Sequence, residues 1–478
     1  MWRRYTIALL LAAGLAAQGL PERLQEGAAK KARGDAAGAL AAYQEAARLA
    51  PGSAEVQCEI GFLLGVLKRP QEAQQHFREA IRIDPNFAPA RHLLGVSLWI
   101  GGEVEPAIEE LRAAVRLRPG ELIYRTRLGQ ALYESGRPGE AVIHFRAATQ
   151  LKGTDAQLWN QLGLAWQQSG DMTEAWKVYA EAVRLAPDNA DFRNNLGLAL
   201  VGVGRVDEGL SEFRRILDRD PNNMTARLNV GFALTEKSEL NQAASWFRDM
   251  LDRDPSQATV HYNLGLVLKQ KDELEPAIAE LRSALERDPS LADAHYTLAM
   301  TLLQTGDLAG SERETRASLD SRPQWAQAWF LLGTILRQSG DLQNAVAALR
   351  EAIRLDPSTP GPFNTLAQVL QLQHNEAGSR EAFRQGAEAQ QRLEGQKAAV
   401  LSVNIGYDHL SKGDLPGAEQ QFRRAIEKAP EMAKAHQGLA DALRKRGQLS
   451  TADRELRLAE ELQTKIRAPM INLQMGSR

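Results

Sequence analysis

Three asparagines stand 34 residues apart, Asn195, Asn229 and Asn263, each directly before Leu-Gly or Val-Gly, and Asn404 repeats the pattern before Ile-Gly. A carboxamide offers one acceptor and two donors, so a row of them can pair with the backbone of an extended peptide whatever its sequence. Asn160, Asn194 and Asn364 lie one step earlier in the same register. Interleaved with them are Phe62, Trp99, Tyr133, Phe232, Tyr262, Tyr296, Phe330 and Tyr407, which supply apolar area and, on each Tyr, a polar tip. Charges among these positions are few and mixed, such as Glu134, Lys269 and Arg337. The chemistry on offer is recognition of a chain by amides and rings.

The elements that must position these residues follow from one period. Prolines stand at 51, 85, 119, 187, 221, 255, 289, 323 and 357, at intervals of 34 or its double, with Gly153 in the one gap. Units counted from 31 residues before each proline start at 20, 54, 88, 122, 156, 190, 224, 258, 292, 326 and 360, then at 399 and 433 after five extra residues. Position 8 of every unit is small, from Gly27 and Gly61 to Gly406 and Ala440, and so is position 20. Position 24 is bulky, from Tyr43 and Phe77 to Phe422 and Leu456, with Thr315 the exception. Apolar residues at positions 4, 7 and 11, as in Trp159, Leu162 and Trp166, form the stripe of a first helix, and the small position 8 lets a second helix approach. That second helix starts near position 18, where Pro70, Pro106, Pro138, Pro276 and Pro416 lie in or just before its first turn. Gly102, Gly136, Gly170, Gly204, Gly306, Gly340 and Gly413 supply the turn between the two.

This helix, turn, helix, proline pattern resembles the tetratricopeptide repeat family across residues 20–466. The resemblance implies an all-α protein, a right-handed α-solenoid (superhelix) of about 13 helix-turn-helix units. It further implies a concave groove lined by first-helix positions 2, 5, 6, 9, 12 and 13, the columns that hold the asparagines and aromatics above. The asparagine row partly resembles the ladder in the repeat superhelix of O-linked N-acetylglucosamine transferases, which grips peptide backbone. The catalytic domain of that family is absent, and Leu93, Arg127, Gln161, Thr297 and Leu331 occupy the ladder position in other units. The Lys and Asn pair that clamps carboxylates in chaperone-binding members is missing from every unit.

Residues 1–19 read as a signal peptide, with Arg3 and Arg4 before the eleven apolar residues Ile7–Ala17. That run is too short for a comfortable span, so export without stable membrane insertion is expected, an uncleaved anchor being the alternative. Residues 20–53 form a capping unit, with Arg23, Glu26 and Lys30 where neighbours carry core residues. Nine regular units fill 54–359, and 360–398 is an irregular unit with an extended second helix. Two further units cover 399–466, and 467–478 is a tail.

The 478 residues carry 58 basic and 60 acidic side chains, a balance that disfavours nucleic acid as a partner. The single cysteine, Cys58, excludes an internal disulfide or thiolate metal cluster within one chain and is expected to be inert. His261, His295 and His436 share position 4, a core column, which predicts packed imidazoles rather than metal ligands. No phosphate-cradling loop, His-Glu-x-x-His or GxSxG motif is present. The repeats use up the residue count, so no catalytic residue, metal or cofactor is expected, and no enzyme. The expected function is an exported scaffold, periplasmic or secreted, that binds proteins or extended peptides in the groove. The alternatives are a structural subunit of an envelope assembly for polysaccharide or pilus export, and the targeting half of a glycosyltransferase system.

Overall fold

Alanine, leucine, glutamate, glutamine and arginine dominate the segments between prolines, and these side chains lose little freedom in a helix. The computed structural model describes residues 19–465, and over them it has twenty-five helices and no strand. The signal assigned to 1–19 and the tail 467–478 fall outside the described residues, save that residue 19 already belongs to the first helix. The chain divides into two compact units, Met1–Glu212 and Phe213–Arg478.

In the first unit five hairpins follow one another and a sixth begins, its second helix running on past Glu212. They pair helix 19–32 (α1) with Ala36–Leu49 (α2), Ala54–Val66 (α3) with Pro70–Ile83 (α4), and Ala88–Ile100 (α5) with Val104–Leu117 (α6). Leu122–Glu134 (α7) then pairs with Pro138–Leu151 (α8), Ala156–Gln168 (α9) with Met172–Leu185 (α10), and Ala190–Gly202 (α11) precedes Val206–Leu217 (α12). At the start of the row, the Glu26 carboxylate takes Arg23 at 2.6 Å and Lys30 at 2.8 Å, both in solvent.

The second unit continues with Met224–Glu236 (α13) and Leu240–Arg253 (α14), Ala258–Gln270 (α15) and Leu274–Arg287 (α16), and Ala292–Thr305 (α17) and Leu308–Ser321 (α18). After these come Ala326–Ser339 (α19) and Leu342–Leu355 (α20), then Pro360–Leu372 (α21), Glu376–Ser411 (α22), Leu415–Lys428 (α23), Ala433–Lys445 (α24) and Leu449–Lys465 (α25). Within each unit, consecutive helices pack side by side.

The first helices begin where the proline register puts them, at 54, 88, 122 and onward. Several starts are held by a side chain before the helix: Ser53, Asp155, Asn189 and Asn223 each accept an N–H of the first turn. Position 15 turns every hairpin in the left-handed region. Nine hairpins use glycine there, whereas Lys68, Ser238, Asp272 and His374 adopt it with φ of 60–62°. Positions 8 and 24 then fit as bump to hollow. A Cβ built on Gly163 would lie 2.4 Å from the Tyr179 ring, and one on Gly231 would lie 2.2 Å from Phe247. Where position 8 is Ala299, position 24 has shrunk to the buried Thr315.

One element departs from the sequence reading. A helix end is expected between the irregular unit and the unit at 399, but α22 runs through as one helix of 36 residues. No proline stands between Glu376 and Ser411 to end it. The helix is also held by packing: α21 lies along its first half and α23 along its second. At Gly395 the carbonyl of Lys428 comes within 2.8 Å of where a Cβ would stand, so glycine admits the end of α23.

Candidate functional site

Each first helix turns one face to its second helix and leaves another, built from positions 2, 5, 6, 9, 12 and 13, turned away. What orients that face is a fastening at position 4. His261 sets Nδ1 2.6 Å from Glu280 Oε2 and Nε2 3.1 Å from the carbonyl of Pro255. His295 does the same with Glu314 and Pro289, at 2.8 and 3.1 Å, and His436 with Glu455 and Pro430, at 2.7 and 2.8 Å. Arg91 donates to Pro85 O and Glu110, and Arg193 to Pro187 O and Glu212. Trp159 and Trp329 donate Nε1–H to the carbonyls of Gly153 and Pro323, each at 2.8 Å. The position-4 side chain thus ties its helix to the linker six residues earlier and, where position 23 is acidic, to its own second helix.

These histidines are therefore paired as well as packed, a role the core-column reading does not contain. The Glu314 hydrogen bond holds the His295 imidazole above its ordinary pKa and the Glu314 carboxyl below its own. His144 shows the opposite case. It occupies position 23 opposite Arg125, its Nδ1 is buried without a partner, and burial, with Arg125 adding, pushes it down to about 4. Burial likewise lowers His92 to about 4, where its ring stacks on Tyr124 with centroids 4.6 Å apart.

The asparagines divide. Asn160 is buried and accepts from Asn195 Nδ2 at 2.9 Å, a bond between neighbouring hairpins. Asn263 is half-buried and donates to Thr259 O at 2.8 Å, leaving its side-chain carbonyl open. Asn194 and Asn229 are half-buried and engaged in polar contacts. Asn364 and Asn404 are exposed.

The aromatics divide too. Phe62 and Phe232 stand exposed, with the Lys31 ammonium 4.5 Å from the Phe62 ring centre. Trp99, Tyr133, Tyr262, Tyr296, Phe330 and Tyr407 are half-buried and pack against the repeat cores. Tyr296 meets Trp325 at 4.5 Å, and Tyr407 meets Phe422 edge-on at 5.0 Å. Cys58, at position 5, is buried and its thiol is pushed up to about 12, chiefly by desolvation.

The rings of Phe62 and Phe232 at position 9 are among the sequence-predicted site residues, but the aliphatic residues that share the column with them are not. Position 9 is apolar and half-buried or exposed at Phe62, Val96, Leu164 and Leu198 in the first unit and at Phe232, Leu266 and Met300 in the second, and polar at Gln130, Thr334, Gln368 and Asp441. In the second unit the three succeed one another every 34 residues, an apolar stripe open to solvent. The signal was present as periodicity, since a residue facing water has no packing reason to stay apolar from repeat to repeat.

Among the described residues, no helix is long and apolar enough to cross a membrane, and no group of three His, Cys, Asp or Glu is placed to hold a metal ion. Stacked hairpins with an open first-helix face define a helical-hairpin repeat protein. The tetratricopeptide repeat model matches residues 63–121, 194–258, 262–324, 296–360 and 403–460, and a second TPR repeat model matches 168–204. These matches take in more than half of the chain, which belongs to the tetratricopeptide repeat family. Among curated proteins, none matches it. Similar solved structures include YrrB, described as a TPR protein with an unusual peptide-binding site, at 20% identity over 38% of this chain and 95% of that one, with a TM-score of 0.37. MamA from Desulfovibrio magneticus RS-1 is 20% identical over 36% and 97%, with a TM-score of 0.33. A tetratricopeptide repeat protein from Parabacteroides merdae is 14% identical over 52% and 98%, with a TM-score of 0.46. The likeness to all three is one of fold.

Proposed function

We propose that this chain is an exported protein-interaction scaffold that holds extended segments of partner proteins along the open face of its first helices. The observation that carries the reading is the run of three successive apolar residues at position 9, Phe232 and Met300 exposed and Leu266 half-buried between them. An apolar stripe offers area to side chains of a bound segment, and the amide of Asn263 beside it offers an acceptor to the segment's backbone. Export rests on the Arg-rich start and apolar run of residues 1–19. The role is recognition without catalysis.

The test is a displayed library of unstructured peptides panned against the purified chain, with affinities of the selected peptides measured for wild type, Leu266→Glu and Asn263→Ala. Leu266→Glu places a charge in the stripe and should weaken binding at least tenfold, and Asn263→Ala severalfold, with the helical circular dichroism unchanged. Selected peptides that bind both variants as tightly as wild type, or a library that yields no binder, would refute the proposal.

A further inference from the structure

The continuous α22 leaves two stacking faces open that eleven other hairpins close. Position 24 is at most 7% exposed in eleven hairpins, yet Phe383, its member on the first half of α22, is 43% exposed. Position 7 is likewise at most 7% exposed in eleven hairpins, from Ile60 to Leu439, but Ile405 is 38% exposed. Position 3 is buried in the same eleven hairpins, and Leu401 is 62% exposed. The chain shows how it finishes a face meant for water: in the first hairpin positions 3 and 7 are Glu22 and Glu26. Leu401 and Ile405 carry no such finish.

The two faces are halves of one interface. Where hairpins stack regularly, a second helix runs antiparallel to the next first helix, so positions 28, 24 and 21 of one meet positions 3, 7 and 10 of the other. On α22 these are Ala387 and Leu401, Phe383 and Ile405, and Arg380 and Asp408. All six lie on one helix, and Phe383 and Leu401, like Ala387 and Ile405, are eighteen residues apart, five full turns, so they share a side. Within one straight helix of roughly 54 Å the members of each pair cannot touch. Each pair is also placed at equal distances either side of Glu394, as a two-fold axis requires.

We propose that two copies of this chain pair through α22, antiparallel about a two-fold axis at Glu394, each supplying the hairpin face that the other lacks. Phe383 of one copy packs on Ile405 of the second, and Ala387 on Leu401. At the rim Arg380, exposed and without an ion-pair partner, meets the exposed Asp408. The register has a precedent in the regular stack, where the Phe422 ring at position 24 lies against Gly438, at position 6 of the next hairpin. On the axis Glu394 lies opposite Glu394 of the other copy, and Lys397 of each chain, one turn away, offsets the two carboxylates.

Sedimentation equilibrium of the full-length chain at micromolar concentration should give twice the chain mass of 52.6 kDa. Leu401→Glu with Ile405→Glu should sediment as a monomer with unchanged helicity. Arg380→Glu should weaken the dimer at least tenfold, and adding Asp408→Arg should return it to within about threefold of wild type, which a misfolded chain would not do. In a Cys58→Ser background, Phe383→Cys with Ile405→Cys should oxidise to a species of double mass. A monomeric wild type, a dimer that survives the Leu401 and Ile405 changes, or a disulfide closed within a single chain would each overturn the proposal.

Discussion

The glycine at position 8 is held to that residue by the side chain it faces. In α9, a methyl at Gly163 would meet the Tyr179 ring at 2.4 and 2.5 Å, where ordinary contact begins near 3.4 Å. Tyr179 cannot yield, because it is fully buried and its hydroxyl donates to Gln167 Oε1 at 2.9 Å. Overpacking of this kind costs about 1–3 kcal/mol, and removing a mid-helix glycine returns up to about 1 kcal/mol, so Gly163→Ala should destabilise by about 1–2 kcal/mol net. Gly65 in α3 is the control: it too is helical, but nothing lies within 4 Å of its Cβ position, so Gly65→Ala should stabilise by about 0.5–1 kcal/mol. The assay is urea denaturation followed by circular dichroism, with hydrogen exchange of the α9 and α10 amides locating the effect. The bump-and-hollow account fails if both substitutions move stability in the same direction. A second arm uses Ala299 and Thr315: Thr315→Phe alone should destabilise, and Ala299→Gly with Thr315→Phe should recover most of the loss.

His92 and His144 titrate near 4 when folded and near 6.5 when unfolded, so the unfolded chain binds more protons between those values. Stability should therefore be full above pH 6.5 and fall as pH drops through 4, by up to roughly 3 kcal/mol for each ring, and His144→Gln should flatten that slope in urea midpoints measured from pH 7 to 4. Cys58, with its thiol raised from 9.0 to about 12, should react with a disulfide reagent about a thousandfold more slowly in the native chain than an ordinary thiol, and at the ordinary rate in urea. Lys68→Gly should stabilise by about 1 kcal/mol in a thermal melt, because Lys68 holds the left-handed turn at φ 60° that nine other hairpins give to glycine.

Much of the fold was legible because a few residue types have steric work that nothing else can do. Proline at position 32 ends a helix whatever surrounds it, so Pro85 or Pro221 dates the next helix start to the residue. Glycine opposite a ring reads equally well. The run through α22 was harder, since the absence of a stop signal looks like a long second helix and only packing on α23 decides that it joins the next one. The position-4 fastenings were invisible for a different reason. Arg91, Trp159 and His261 share no residue type, only an N–H at the right reach from a linker carbonyl. Asn160 and Asn195 show the converse, since two amides in the expected columns can spend a bond on each other. The apolar run at Leu164, Leu198, Leu266 and Met300 was readable as a period but not as a surface, because leucine in a helix suggests core until its exposure is known.

The position-4 fastening closes on a main-chain oxygen, and a main-chain oxygen is present in every residue. Gly153 receives Trp159 as readily as Pro323 receives Trp329. A module built this way makes no demand on the identity of its neighbour's side chain at that point. Such modules can be duplicated, deleted or shuffled in the gene without re-tailoring the seam, which gives a simple route by which an array of this kind changes its length.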